Sequence, residues 1–274
     1  TANPLVFCGT VGVLPAGMER KGARAGDRIV LAGGRTGRDG LGGATFSSAS
    51  LSGEGAEASR GAVQIGDPIV QKRLLDVLLV ARDGGWTTAV TDCGAGGLSS
   101  AVCEMGRTAG ARLDLDRVPL KVPGLAPREI WLSESQERMV LAAPPVHLEP
   151  LLALFASEGV EAADIGSFGG GRIRLVFRGT EVADLDPAFL FEGWPRPVRR
   201  AAPPPAAERA PTPRVKDFGA ALLRILGSWN ACSREWIVRQ YDHEVQGASV
   251  LKPFQGPLQG PGDGVVLSPV PGSD

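Results

Sequence analysis

The chain has 274 residues, a formal net charge of −1, and 43% hydrophobic and 22% charged residues, the composition of an ordinary globular protein. Near-neutral charge gives no electrostatic case for nucleic acid or an anionic membrane. No apolar run approaches a bilayer span, and no basic-then-apolar leader opens the chain. The four cysteines (Cys8, Cys93, Cys103, Cys232) form no C-x-x-C pair and no metal spacing with His147 or His243, so reduced thiols in a cytoplasmic protein are the reading.

In chain order, residues 1–14 and 27–32 read as strands, joined by the basic "AGMERKGARAG". "GGRTGRDGLGGATF", residues 33–46, follows with six glycines. It lacks the lysine of a P-loop and the following helix of a dinucleotide fingerprint, so it reads as a turn. In "GAVQIGDPIVQKRLLDVLLVARDGG", Asp67 is placed to cap a helix and Pro68 to fill its first position, with Ile69, Leu74, Leu75, Leu78 and Leu79 as the apolar face. "WTTAVTD" reads as a strand, "CGAGGLSSAVCEMGRTAG" as a glycine turn entering a helix, and "ARLDLDRVPL" as an alternating strand. "RMVLAAP" is a further strand, "HLEPLLALFASEG" a helix, and "RIRLVFRGTEVADLD" a hairpin about Arg178-Gly179. This alternation from about residue 27 to 190 predicts a layered α/β domain.

Residues 195–214 are rich in proline and alanine and predict a linker. Beyond it, "DFGAALLRILGSWN" and "SREWIVRQYDHEV" predict two short helices, and "FQGPLQGPGDG" a loop. So short a stretch is expected to hold only the start of a second domain. The opening "NPLVFCGTVGVLP" reads as a strand that needs neighbours, and "GDGVVLSPVPGSD" as one beginning. An excised piece of a longer protein is therefore expected.

Several residues could carry chemistry. Asp92 closes a strand against a glycine turn that opens a helix, where ligands of α/β sheets bind and where a carboxylate can hold Mg²⁺ against a phosphate. It could equally cap that helix, and spacing leaves both readings open. Glu134, Ser135 and Gln136 precede a strand and either converge on a polar ligand or form a solvated loop. Gln64 interrupts an apolar stretch and needs a hydrogen-bond partner if buried. His147 and His243 read as capping, packing or surface residues, and Arg196, Arg199 and Arg200 as solvated linker charges.

Taken in order, "NPLV", "GGRTGRDGLGGATF", "VQIGDP", "TDCGAGGLSSAVCEM", "LSESQERM" and "REWIVRQYDHEV" resemble the phosphoribosylformylglycinamidine synthase family of purine biosynthesis. The resemblance covers nearly the whole chain apart from the linker. It implies a tandem pair of PurM-like halves, each with an N-terminal and a C-terminal α/β domain. Residues 1–20 would end the first N-terminal domain, 27–194 would form the first C-terminal domain, and 215–274 would open the second half after the 195–214 linker.

The implied activity is ATP-dependent conversion of formylglycinamide ribonucleotide to the amidine with glutamine-derived ammonia. A glutaminase (PurQ-like) subunit and a small PurS-like subunit are the implied partners, and neither nucleic acid nor membrane is. By motif match, Gln64, Glu134, Ser135 and Gln136 correspond to substrate contacts and Asp92 to a Mg²⁺ ligand. The family's catalytic histidines and ATP-binding lysine are expected before Thr1, and further ATP and metal ligands after Asp274. The isolated chain is therefore expected to be inactive. Leu41-Gly42-Gly43 departs from the family pattern, which has a histidine there. The alternatives are another PurM-like ATP enzyme, such as an aminoimidazole ribonucleotide or selenophosphate synthetase, and a non-catalytic scaffold. "SESQERM" and "YDHEV" discriminate against the other synthetases.

Overall fold

The computed structural model describes residues 9–19, 22–41, 66–202, 214–240, 244, 247–258, 260–261 and 264–270. The chain divides into two compact units, Met18–Val198 and Thr1–Gly17 together with Arg199–Asp274.

The larger unit runs β1 (Arg28–Gly33), α1 (Pro68–Asp83), β2 (Ala89–Asp92), α2 (Leu98–Met105), β3 (Ala111–Asp114), α3 (Pro127–Leu132), β4 (Arg138–Ala143), α4 (Leu148–Ser157), β5 (Ala162–Phe168), β6 (Ile173–Phe177), β7 (Thr180–Leu185) and α5 (Pro187–Glu192). The strands form one seven-stranded sheet in the order β2-β4-β1-β5-β3-β6-β7. Every pairing is antiparallel except β3 with β6.

Strand periodicity divides the core into two layers. Ile29, Leu31, Val140 and Ala142 point into one cluster, packed with Leu98 and Val102 of α2 and Ile130 and Trp131 of α3. Their neighbours Val30, Ala32, Leu141 and Ala143 point into the other, with Leu74, Val77 and Ala81 of α1 and Leu151 and Phe155 of α4. Helices thus cover both faces of the central strands, the layered α/β arrangement expected.

Local signals placed most of these elements. The Asp67 carboxylate accepts from the Ile69 and Val70 amides, and Pro68 opens α1. Arg178 (φ 50°) and Gly179 (φ 75°) turn the β6–β7 hairpin, the two successive left-handed residues of a type I′ turn.

Other expectations need correction. The stripe that α1 buries is Leu74, Val77 and Ala81, whereas Ile69, Leu75 and Leu79 are exposed. The strand expected over 111–120 ends at Asp114, whose side chain accepts from the Asp116 amide and tightens Leu115–Arg117 into a 3₁₀ turn. The strand expected over 1–14 is absent from its described part, residues 9–14, which are exposed.

The smaller unit contains α6 (Phe218–Leu226), α7 (Glu235–Val238) and the strands β8 (Ser249–Leu251), β9 (Phe254–Gln255), β10 (Gly260–Pro261) and β11 (Val266–Leu267). β9 pairs with β10 inside the stretch expected to be loop, and β8 pairs with β11. Phe218, Leu222, Leu223, Ile225 and Trp229 are exposed, and of its described hydrophobic residues only Ile237 is buried. Among the described residues of this unit, so small a buried surface does not make a core.

Candidate functional site

β4 starts between the ends of β1 and β2: Arg138 lies opposite Gly33, and Met139 opposite Asp92. β1 and β2 run antiparallel to β4, so their carboxyl ends meet its amino end at one edge of the sheet. Three sequence motifs thereby become neighbours: the glycine loop after β1, the "TDCGAGG" turn after β2, and "SESQERM" before β4. The crevice beyond strand carboxyl ends is where open α/β sheets bind ligands.

Glu134 ties the three segments together. Its Oε1 accepts from the Gly96 amide at 3.0 Å, and its own amide donates to the Asp39 carbonyl at 2.9 Å. Gly40 admits no side chain, because a Cβ there would lie 2.4 Å from Glu134 Cβ.

Ser135 is fully buried. Its hydroxyl accepts from the Gly37 amide at 2.9 Å and donates to Asp39 Oδ2 at 2.6 Å. Lys121 reaches the same carboxylate oxygen at 2.8 Å. Burial pushes the Asp39 carboxyl up, but the hydrogen bonds from Lys121 and Ser135 outweigh it and hold the group below its ordinary value. Three of the loop amides are spent on the protein itself: Gly34 donates to the Glu137 carbonyl, Thr36 to the Pro119 carbonyl, and Gly37 to the Ser135 hydroxyl. Over its described part the loop is a turn pinned from inside. Gly42 and Gly43 lie outside the described residues.

Gln136 is exposed. Glu137 has φ 52°, a left-handed conformation that is uncommon outside glycine. Its carbonyl occupies the space beside Gly33, where a Cβ would lie 1.9 Å from the oxygen. Its carboxylate lies against Gly66, 2.5 Å from where a Cβ would be. Gln64 lies outside the described residues, but Gly66, two positions later, is at this edge.

Asp92 is exposed at the end of β2. It does not cap α2: the cap position is Gly97, with φ 56° and no side-chain hydrogen bond. Gly97 is required there, since a Cβ would lie 1.8 Å from the Ser133 carbonyl oxygen. Among the described residues no group of three or more His, Cys, Asp or Glu gathers to hold a metal. Asp92 thus stands as an exposed single carboxylate at the carboxyl end of β2, and Mg²⁺ sites in general use only one or two carboxylates beside substrate phosphates and waters.

The residue that sequence reasoning missed is Arg138. It is buried, donating from Nε to the Ser135 carbonyl at 2.8 Å and from Nη1 to Thr36 Oγ1 at 2.9 Å. Nη2 donates to the Ser133 carbonyl. Burial lowers the affinity of its guanidinium for the proton, opposed by Cys93 and Asp39. Its backbone carbonyl accepts from the Cys93 amide at 2.9 Å. One side chain thus fixes the glycine loop and both flanks of Glu134, and its backbone holds the residue after Asp92. An arginine beside "SESQE" was visible, but nothing in the pattern said it was buried. Cys93 itself is inert: burial raises its thiol to about 11, despite Arg138. His147 sits at the start of α4 without a side-chain cap bond, its ring 6.3 Å from Trp86.

Residues 24–177 match the family described as AIR synthase related protein, C-terminal domain. The chain is 39% identical over 261 residues to phosphoribosylformylglycinamidine synthase subunit PurL of Methanosarcina barkeri, covering 92% of this chain and 36% of that protein. It is 40% identical over 262 residues to the subunit of the same name from Ignicoccus hospitalis, covering 93% and 36%. Among solved structures, Thermotoga maritima PurL complexed with FGAR superposes with a TM-score of 0.65 at 29% identity, over 85% of this chain and 36% of that one. The same protein complexed with ATP gives 0.58 at 26%, over 85% and 34%. The chain spans about a third of the length of these relatives. Matched over more than half of its residues, the chain belongs to the family of AIR synthase related protein C-terminal domains, represented by residues 24–177, and it is homologous to a segment of PurL.

Proposed function

We propose that this chain is an internal part of an ATP-dependent phosphoribosylformylglycinamidine synthase, and that the sheet edge around Asp92 and Glu134 helps bind its nucleotide substrates. The observation that carries the reading is the joining of the glycine loop, the Asp92 turn and the Glu134 segment by one hydrogen-bonded network. Relatives named PurL, and the structures of Thermotoga maritima PurL complexed with FGAR and with ATP, support it. In this reading residues 1–20 end one PurM-like domain, 27–194 form the next, 195–214 link, and 215–274 open the second half. The whole enzyme would work in the cytoplasm with a glutaminase (PurQ-like) and a small PurS-like subunit, a partnership suggested by the structure of PurLQS from Thermotoga maritima. No helix among the described residues is long and apolar enough to cross a membrane.

In the whole enzyme, ATP would phosphorylate the oxygen of the glycinamide carbonyl and leave as ADP; ammonia would then attack that carbonyl carbon and expel phosphate, the formyl group being left unchanged. Mg²⁺, when bound, would offset the charge of the transferring phosphoryl group. Asp92 would hold the cation through its exposed carboxylate. Gln64, Glu134 and Gln136 would orient the ribonucleotide, Glu134 and Gln136 at positions set by Arg138 and by Ser135. Because the Ser135 hydroxyl is committed to Gly37 and Asp39, its part is to fix Glu134 and Gln136 on either side. Such work is positioning and charge neutralisation.

The test is ADP release by the full-length protein, which should require both formylglycinamide ribonucleotide and ammonia. The 274-residue chain alone should give no turnover. ADP release by the intact protein that does not respond to that ribonucleotide would defeat the proposal.

A further inference from the structure

A second concentration of charge lies at the opposite edge of the sheet, where β5 ends and the parallel strands β3 and β6 begin. In register, Arg112 of β3 is flanked by Ser167 of β5 and Arg174 of β6. Ala111, Leu113, Ile173 and Leu175 point into the core, so the alternation sends both arginines out of the other face, where they are exposed. Like charges on directly paired strands repel.

Here the sheet forms an open cavity of about 290 Å³ lined by Arg112, Arg172, Arg174, Ser167, Gly169 and Gly170, with no acidic residue in the lining. Arg172 donates to Asp184 at 2.5 Å, and Arg174 shares that carboxylate oxygen at 3.6 Å. Asp186 and Glu181 act on Arg172 more weakly. Among the described residues the Arg112 side chain makes no ion pair or hydrogen bond. One carboxylate thus serves two guanidinium groups beside a third that has none.

The turn from β5 to β6 supplies the remaining wall. Gly169, Gly170 and Gly171 all have positive φ (134°, 79° and 68°), which three consecutive side-chain-bearing residues would not adopt. The Gly169 and Gly171 amides donate to the Gly110 and Ala109 carbonyls at 2.9 Å. Nothing lies near the side-chain positions of Gly170 or Gly171, and the Gly170 amide has no partner among the described residues. Guanidinium forks beside an open glycine turn are suited to tetrahedral oxyanions.

We propose that this pocket is an oxyanion site for a phosphoryl group, borne either by free phosphate or by a nucleotide. It stands across the sheet from Asp92 and does not depend on the proposed activity. The test titrates the 274-residue chain with inorganic phosphate and, separately, with AMP, by calorimetry at low ionic strength. Wild type, the double variant Arg112→Gln/Arg174→Gln, and Arg82→Gln, whose ion pair with Asp83 lies elsewhere, are compared. Thermal melts confirm that the variants fold, as expected when only exposed side chains change. Saturable binding of at least one probe should weaken by about tenfold or more in the double variant and persist in Arg82→Gln. Tighter binding of AMP assigns the site to nucleotides, and equal or weaker binding to free phosphate. The absence of saturable binding, or a double variant that binds like wild type, overturns the proposal.

Discussion

Arg138 holds three acceptors in place, and a lysine in its stead could reach at most part of that set, since one ammonium cannot span the guanidinium fork. Arg138→Met should cost about 3 kcal/mol or more, because the Ser133 and Ser135 carbonyls and the Thr36 hydroxyl lose their donors while buried. Denaturant melts measure this, and Arg138→Lys should fall between that variant and wild type. Asp39 makes a separate prediction about pH. Its folded pKa is depressed, so its contribution to stability is complete above the free carboxyl value of about 3.9 and is lost as pH falls through the lower folded value. Acid titrations of stability should therefore show a smaller loss for Asp39→Asn than for wild type. Equal acid losses would show that Lys121 and Ser135 do not set the Asp39 charge. At this scale the sequence showed which side chains are able to carry chemistry, but not which were spent. Ser135 reads as a surface polar residue until Gly37 and Asp39, nearly a hundred positions earlier, close over it.

Elements were legible where a local signal fixed them. The Asp67-Pro68 start of α1 and the Arg178-Gly179 turn need no distant information. β5 escaped notice because "AADIGSF" is poor in the branched and aromatic residues that mark strands. It is a strand only because it pairs β1 on one side and β3 on the other. The short helices α3 and α5 lack the length for a periodic pattern. At the end of β1, the Gly33 conformation (φ 109°) and the nearby Glu137 carbonyl leave no room for a methyl group. Gly33→Ala should destabilise the larger unit by about 3 kcal/mol or more. It should also speed amide exchange at Gly34, which donates to that carbonyl. A variant with wild-type stability and exchange would show that this junction tolerates a different path.

Over the whole molecule, the division into two units follows where the apolar side chains find partners. The larger unit has two buried layers about its sheet, whereas α6 leaves Phe218, Leu222, Leu223 and Ile225 exposed. Arg199 and Arg200, exposed just beyond the larger unit, should be the first sites cut by limiting trypsin, leaving a protected fragment that includes the sheet. Early cleavage between β1 and β7 at a described residue would contradict that division. The central claim is that the edge joining Gly33, Asp92 and Glu134 serves the chemistry of a larger synthase. It is tested most directly by Asp92→Asn in the intact enzyme, with melting temperature and steady-state rate followed across a magnesium titration. Asp92 is exposed and caps no helix, so the account predicts a preserved melting temperature. It also predicts a large fall in rate, partly restored by raised Mg²⁺. A variant that keeps its full rate at limiting Mg²⁺, or that melts far lower with a proportionate loss of activity, would contradict it.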